Sequence, residues 1–241
     1  LTMDSGQMAT LCIEGRAFFI GDLHGERRQL SQLLGNVGFS PEKGDRLICV
    51  GDLIDRGPDS VACLDLLELP WFHSVLGNHE AMLMDALSGD TDCLNSWLRC
   101  GGQWFEALED GERDAVVAKA QRLLPEVPLG LEIQLPALDA RIGVVHAECP
   151  HDDWLSFRQA CQRGLDSRQE FHCLWARDTL SRMGKGEYPT PVANIDALVL
   201  GHTPQQMFRS YGNRVWLDTG AGYPAGRLSL LSAEQILELV R

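Results

Sequence analysis

Five short runs constrain this chain more than anything else in it. Residues 17–22 read AFFIGD, 47–52 LICVGD, 73–78 HSVLGN, 142–146 IGVVH and 197–202 ALVLGH. Each run is mostly apolar and β-prone, each ends in Asp, Asn or His, and in four of the five a Gly intervenes. A short continuous apolar run suits a strand covered on both faces. A Gly at its end lets the backbone turn sharply or approach a ligand closely. The runs therefore predict an α/β fold with at least five buried strands, each delivering one polar side chain at its C-terminal end. In open α/β sheets that edge is where ligands bind.

Helical spacing fills the intervals. Residues 25–37 place Leu30, Leu33, Leu34 and Val37 on one face, and Asp59 stands where it can cap a helix over 60–69. A third helix is expected over 79–88, a helical insertion over 91–124, and two helices over 153–183 broken near Gly164. Residues 184–195 read as a surface loop. Residues 214–218 and 227–232 read as late strands, with 236–240 pairing beside them. The first residues, to about 14, read as a frayed start to one domain spanning 1–241.

Composition narrows the function classes. Of 241 residues, 44% are hydrophobic and 23% charged, which excludes a disordered or collagen-like chain. The net charge of −13 argues against nucleic acid and anionic membranes as partners. A site for an anionic substrate would need local positive charge, from arginine or from bound metal. None of the eight Cys has C-x-x-C spacing, and several lie in apolar runs. Buried thiols in a reducing cytoplasm are the expectation. No secretory leader and no apolar run of membrane-spanning length is visible.

The run-ending residues are Asp22, Asp52, Asn78, His146 and His202, and His24 follows Asp22 by two. Mixed oxygen and imidazole donors without thiolate favour manganese, iron or zinc over magnesium or calcium. Six ligands are too many for one catalytic ion and suit two, with one carboxylate shared. Asp52, in the second run, is the natural bridge. Singly, each of these residues reads as well as a turn or cap residue. Jointly, five apt side chains at one structural position point to a metal centre.

The neighbours fit that reading. In GDLIDRGPDS (51–60), Arg56 follows Asp52 by four and can grip phosphate oxygens. In GNHE (77–80), His79 beside Asn78 is a candidate general acid, with Asp55 to fix its tautomer. In WARD (175–178), Arg177 is a candidate second phosphate grip, balanced against a plain surface arginine. His73, His151 and His172 read as structural or exposed, Cys149 as a small buried thiol, and 91–124 carries no chemistry that can be assigned.

Together GDLHG (21–25), GDLIDRGPDS, GNHE, HAE (146–148) and GHT (201–203) resemble the signature blocks of the phosphoprotein phosphatase family of metallophosphoesterases. HAE, WARD and the short length resemble its compact bacterial and phage members. The resemblance implies a central β-sandwich flanked by helices on both sides, and two divalent ions, usually manganese. Asp22, His24 and Asp52 would hold the first ion, and Asp52, Asn78, His146 and His202 the second. His79 with Asp55 would protonate the leaving group, and Arg56 with Arg177 would bind phosphate. The implied substrates are phosphorylated proteins bearing phosphoserine or phosphothreonine, with phosphotyrosine a further option, attacked directly by metal-activated hydroxide. No regulatory subunit is implied. The nearest rival is a dinucleoside tetraphosphatase of the same superfamily, against which Asp55 speaks. A non-catalytic phosphopeptide-binding scaffold is the rival from another class, and the intact ligand set speaks against that.

Overall fold

The structure, a computed structural model, describes residues 2–5 and 7–241. Two mixed sheets are stacked, with helices on both outer sides. The strands in chain order are β1 (Thr2–Ser5), β2 (Met8–Cys12), β3 (Ala17–Ile20), β4 (Arg46–Cys49), β5 (Phe72–Ser74), β6 (Gly130–Leu135), β7 (Ala140–Val145), β8 (Ala197–Leu200), β9 (Arg209–Tyr211), β10 (Arg214–Trp216) and β11 (Leu230–Ser232). One sheet runs β1-β2-β6-β7-β8-β10-β9 and the other β11-β3-β4-β5. Strands β3, β4 and β5 are mutually parallel, and so are β7 and β8.

The continuous apolar runs have the expected cause. In β3, Phe19 faces the layer between the sheets, while Phe18 and Ile20 face the helices behind. Ile48 of β4, Ile142 and Val144 of β7 and Val199 of β8 fill the same inter-sheet layer. Side chains alternate along a strand, so a strand covered on both faces must be apolar at every position. Helices α1 (Arg27–Asn36), α2 (Ser60–Leu64), α3 (Asn78–Ala86), α4 (Thr91–Arg99) and α5 (Asp110–Leu123) cover the smaller sheet. Helices α6 (Trp154–Arg163), α7 (Ser167–Trp175) and α8 (Asp178–Met183) cover the larger one.

Several expectations are corrected. Residues 8–12 do not fray: β2 pairs in parallel with β6, with Met8 and Ala9 fully buried. Residues 236–240 do not form a strand. Ser232 accepts from Gln235 N, Gln235 Oε1 accepts from Ser232 N, and this capping box opens α9 (Ala233–Leu239). The stretch 153–183 holds three helices, with one break at Gly164 and another at Ala176 and Arg177. Asp59 occupies the cap position of α2 without a side-chain cap bond. The segment 91–124 is helical, but it is tied into the core through the wholly buried Trp97. All eight cysteines are free, and no helix among the described residues is long and apolar enough to cross a membrane.

Candidate metal centre

The ends of β3, β4, β5, β7 and β8 meet at one edge of the two sheets, and the polar residue after each turns inward. Asp22, His24, Asp52, Asn78, His146 and His202 are all buried there. The turns that aim them use unusual backbone. His24 (φ 42°), Asp52 (49°), Asp55 (77°), Arg56 (68°) and His202 (66°) all occupy the left-handed region. Each such residue costs about 1–3 kcal/mol, so surrounding bonds must hold it. Leu23 N and His24 N both donate to Asp52 O, at 2.9 and 2.8 Å. Glu80, from α3, accepts the N–H groups of Asp52 (3.0 Å), Leu53 (2.7 Å), Ile54 (3.3 Å) and Gly77 (3.0 Å). One buried carboxylate thus ties the turn after β4 to the turn after β5. Gly77 leaves room for this, since a Cβ there would collide with Asp52 N and Oδ1.

Two sets of donor atoms converge among the described residues, His24 with Asp52 and His79, and Asp52 with His146 and His202. Asp52 is common to both. Its Oδ1 accepts from His79 N at 3.0 Å and lies 3.4 Å from His146 Nε2. Its Oδ2 lies 3.6 Å from His24 Nε2 and 3.9 Å from His79 Nε2. Asn78 Oδ1 lies 2.9 Å from His146 Nε2 and 2.8 Å from His202 Nδ1. Asp22 falls in neither set; its carboxylate accepts the backbone N–H of His202 at 3.1–3.2 Å. His79 stands in the first set where the sequence suggests Asp22.

The donor chemistry fits a cation. His24 Nδ1 donates to Ile54 O at 2.9 Å and His146 Nδ1 to Val50 O at 2.8 Å. With Nδ1 carrying the proton, neutral His146 turns a bare Nε2 toward the Asp52 carboxylate and Asn78 Oδ1, acceptor against acceptor. A positive ion between them resolves that opposition. Burial keeps these rings neutral, driving His24 and His202 down to about 3 and lowering His146 as well. Burial, reinforced by the charges of Asp218 and Asp52, raises Asp22 well above the usual carboxylate range. Burial and the Asp52 charge raise Asp218 to about 6. The crowded carboxyl groups of Asp22, Asp52 and Asp218 thus oppose one another's ionisation, an opposition that a bound cation would relieve.

Two guanidinium groups reach the centre. Arg56 donates to His24 Nε2 and, at 2.9 Å, to His79 Nε2, while the Tyr223 ring lies 4.8 Å from its guanidinium carbon. Arg177 Nε donates to His202 Nε2 at 3.1 Å. His79 Nδ1 donates to Asp55 Oδ2 at 2.6 Å. Burial opposes charge on His79, but Asp52 and Asp55 outweigh it and raise its pKa. All ten residues singled out in the sequence therefore lie at one edge.

Sequence reasoning missed four others. Asp218 ends the run RVWLD just as Asp22 ends AFFIGD, so the signal for it was present. Glu80 lies inside GNHE without a role. Trp97 and Trp104 donate their indole N–H groups to Asp55 at 2.8 and 2.7 Å, and tryptophan in a helical stretch reads only as core. His73, His151 and His172 lie away from the centre. His151 takes a bond from Gln169, and His172 donates to Arg168 O. Cys149 is half-buried rather than the enclosed thiol expected, although desolvation still pushes it up to about 12.

A family model described as calcineurin-like phosphoesterase matches residues 15–206. The chain is 34% identical over 212 residues to serine/threonine-protein phosphatase 2 of Escherichia coli (strain K12), covering 87% of this chain and 89% of that one. It is 34% identical over 214 residues to serine/threonine-protein phosphatase 1 of Salmonella typhimurium, covering 88% of each. Among solved structures it resembles one named only provisionally as a diadenosine tetraphosphatase. That match has a TM-score of 0.60 and 25% identity, and covers 94% and 93% of the two chains.

Proposed function

Because the chain belongs to the calcineurin-like phosphoesterase family, we propose that it is a metal-dependent protein phosphatase acting on phosphoserine and phosphothreonine. The observation that carries this reading is the buried His79–Asp55 pair beside the converging donors around Asp52. In this reading Asp22, His24 and Asp52 hold one divalent ion, and Asp52, Asn78, His146 and His202 hold a second. Manganese is the first metal to test, with iron and zinc as the alternatives. Bound there, the ions supply Lewis acidity, acidifying water and offsetting phosphoryl charge.

The chain's own residues do the rest. Arg56 and Arg177, which meet the imidazoles of His24, His79 and His202 here, would turn to grip the phosphoryl oxygens and neutralise charge that grows in the transition state. Asp55 fixes the Nδ1–H of His79, so Nε2 carries the mobile proton of the charged ring. As the water oxygen bonds to phosphorus, the ester P–O bond breaks and the Nε2 proton goes to the departing serine or threonine oxygen. No covalent enzyme intermediate is required. The partners are phosphorylated proteins, and the free cysteines support a cytoplasmic setting.

The second reading, a dinucleoside tetraphosphatase, is favoured by the solved structure named above. Purified protein given Mn²⁺ should release phosphate from a phosphoserine peptide with a higher kcat/KM than it cleaves diadenosine tetraphosphate. The reverse order would replace the first reading with the second. No turnover of either would sink both.

A further inference from the structure

Asp55 is wholly enclosed at 0% exposure; Ser60 Oγ accepts its backbone N–H at 2.9 Å, but its carboxylate is held from outside its own turn. Its φ of 77° lies outside ordinary strand or helix geometry. Its two oxygens are instead fixed from residues 97 and 104. Oδ2 accepts from Trp97 Nε1 at 2.8 Å and from His79 Nδ1 at 2.6 Å, while Oδ1 accepts from Trp104 Nε1 at 2.7 Å. The two indoles meet edge to face, with centroids 6.0 Å apart and an interplanar angle of 88°. The same segment grips the next residue as well, since Arg56 N donates to Gly101 O at 3.1 Å.

An indole N–H is a donor only and sits on a rigid ring, so it cannot exchange roles or swing to another acceptor. One such donor on each oxygen defines the plane of the carboxylate. The direction left open on Oδ2 is the one His79 Nδ1 uses, and it sets where Nε2 points. The geometry points to Trp97 and Trp104 as positioning residues for proton delivery: they orient Asp55, and through it His79, toward the departing oxygen. This role rests on the phosphatase reading above and gives the 91–124 segment a part in the chemistry.

The role touches one step, and the leaving group isolates it. A serine oxygen needs the proton in order to depart, whereas p-nitrophenolate departs without it. Trp104→Phe keeps the ring and removes only the N–H. With Mn²⁺ present, its kcat on a phosphoserine peptide should fall about ten-fold with KM held within about two-fold. Its kcat on p-nitrophenyl phosphate should stay within about two-fold of the parent. Trp97→Phe provides a second reading of the same prediction, with its melting temperature recorded because Trp97 is wholly buried. In an Asp55→Asn background, Trp104→Phe should cost nothing more, since both act through one group. Equal losses on the two substrates, or full additivity with Asp55→Asn, would overturn the tryptophan role alone. A parent protein inactive on both substrates would overturn the phosphatase reading and the role that depends on it.

Discussion

Asp52 does two things at once. Its backbone carbonyl receives the turn after β3, and its carboxylate faces imidazoles from both sheets. Asp52→Asn keeps the size but removes the shared charge. We expect metal content, read by elemental analysis, to fall together with turnover, by about 100-fold or more. His79→Asn should behave differently, with turnover down about 100-fold or more and metal retained. Loss of metal from that variant would make His79 a ligand, as its place in the first converging set permits. Cys63 offers a check on burial. With its thiol fully enclosed and pushed up to about 12, iodoacetamide at pH 8 should label the exposed Cys12 and Cys100 and spare Cys63, as read by mass spectrometry. At this scale the sequence was most legible where one side-chain type recurs at one structural position. It was least legible for the indoles on Asp55, because donor bonds to a residue 42 and 49 positions away leave no local pattern.

Among the elements, the turns after β4 and β5 act as one unit through Glu80. Gly77→Ala would drive a methyl group into Asp52 and Glu80. The expected result is loss of metal binding with the strands intact, seen as unchanged circular dichroism beside reduced metal content. Far from the site, Ser232→Ala should cost about 1 kcal/mol by removing the cap of α9. In a chain of this size that lowers Tm by about 2–4 °C, measurable by calorimetry. The elements that sequence reading missed have physical reasons. In β6, Glu132 interrupts the apolar run although it is 0% exposed, because Trp154 Nε1 and Arg158 Nη1 satisfy its carboxylate. In α9, only seven residues are helical, too few for a 3.6-residue period to stand out from an alternating one.

At the scale of the molecule, the proposed ligands divide between the two sheets. Asp22, Asp52 and Asn78 follow strands of the smaller sheet, and His146 and His202 follow strands of the larger. Ions bound across them favour the folded state by mass action, by about 2.7 kcal/mol at a hundred-fold excess over Kd. Adding Mn²⁺ to chelated protein should therefore raise Tm by about 5–10 °C, and Asp52→Asn should abolish the increment. The larger architecture was legible because doubly covered strands must be apolar throughout; the pairing order was not, since it is set by which surfaces meet. The inter-sheet layer is apolar along its length, but at the edge that carries the proposed ligands it gives way to carboxylates and imidazoles. Stripped of its ions, the sandwich should gape at that margin like a book with its clasp undone, and amide exchange there should quicken well before the opposite margin loosens.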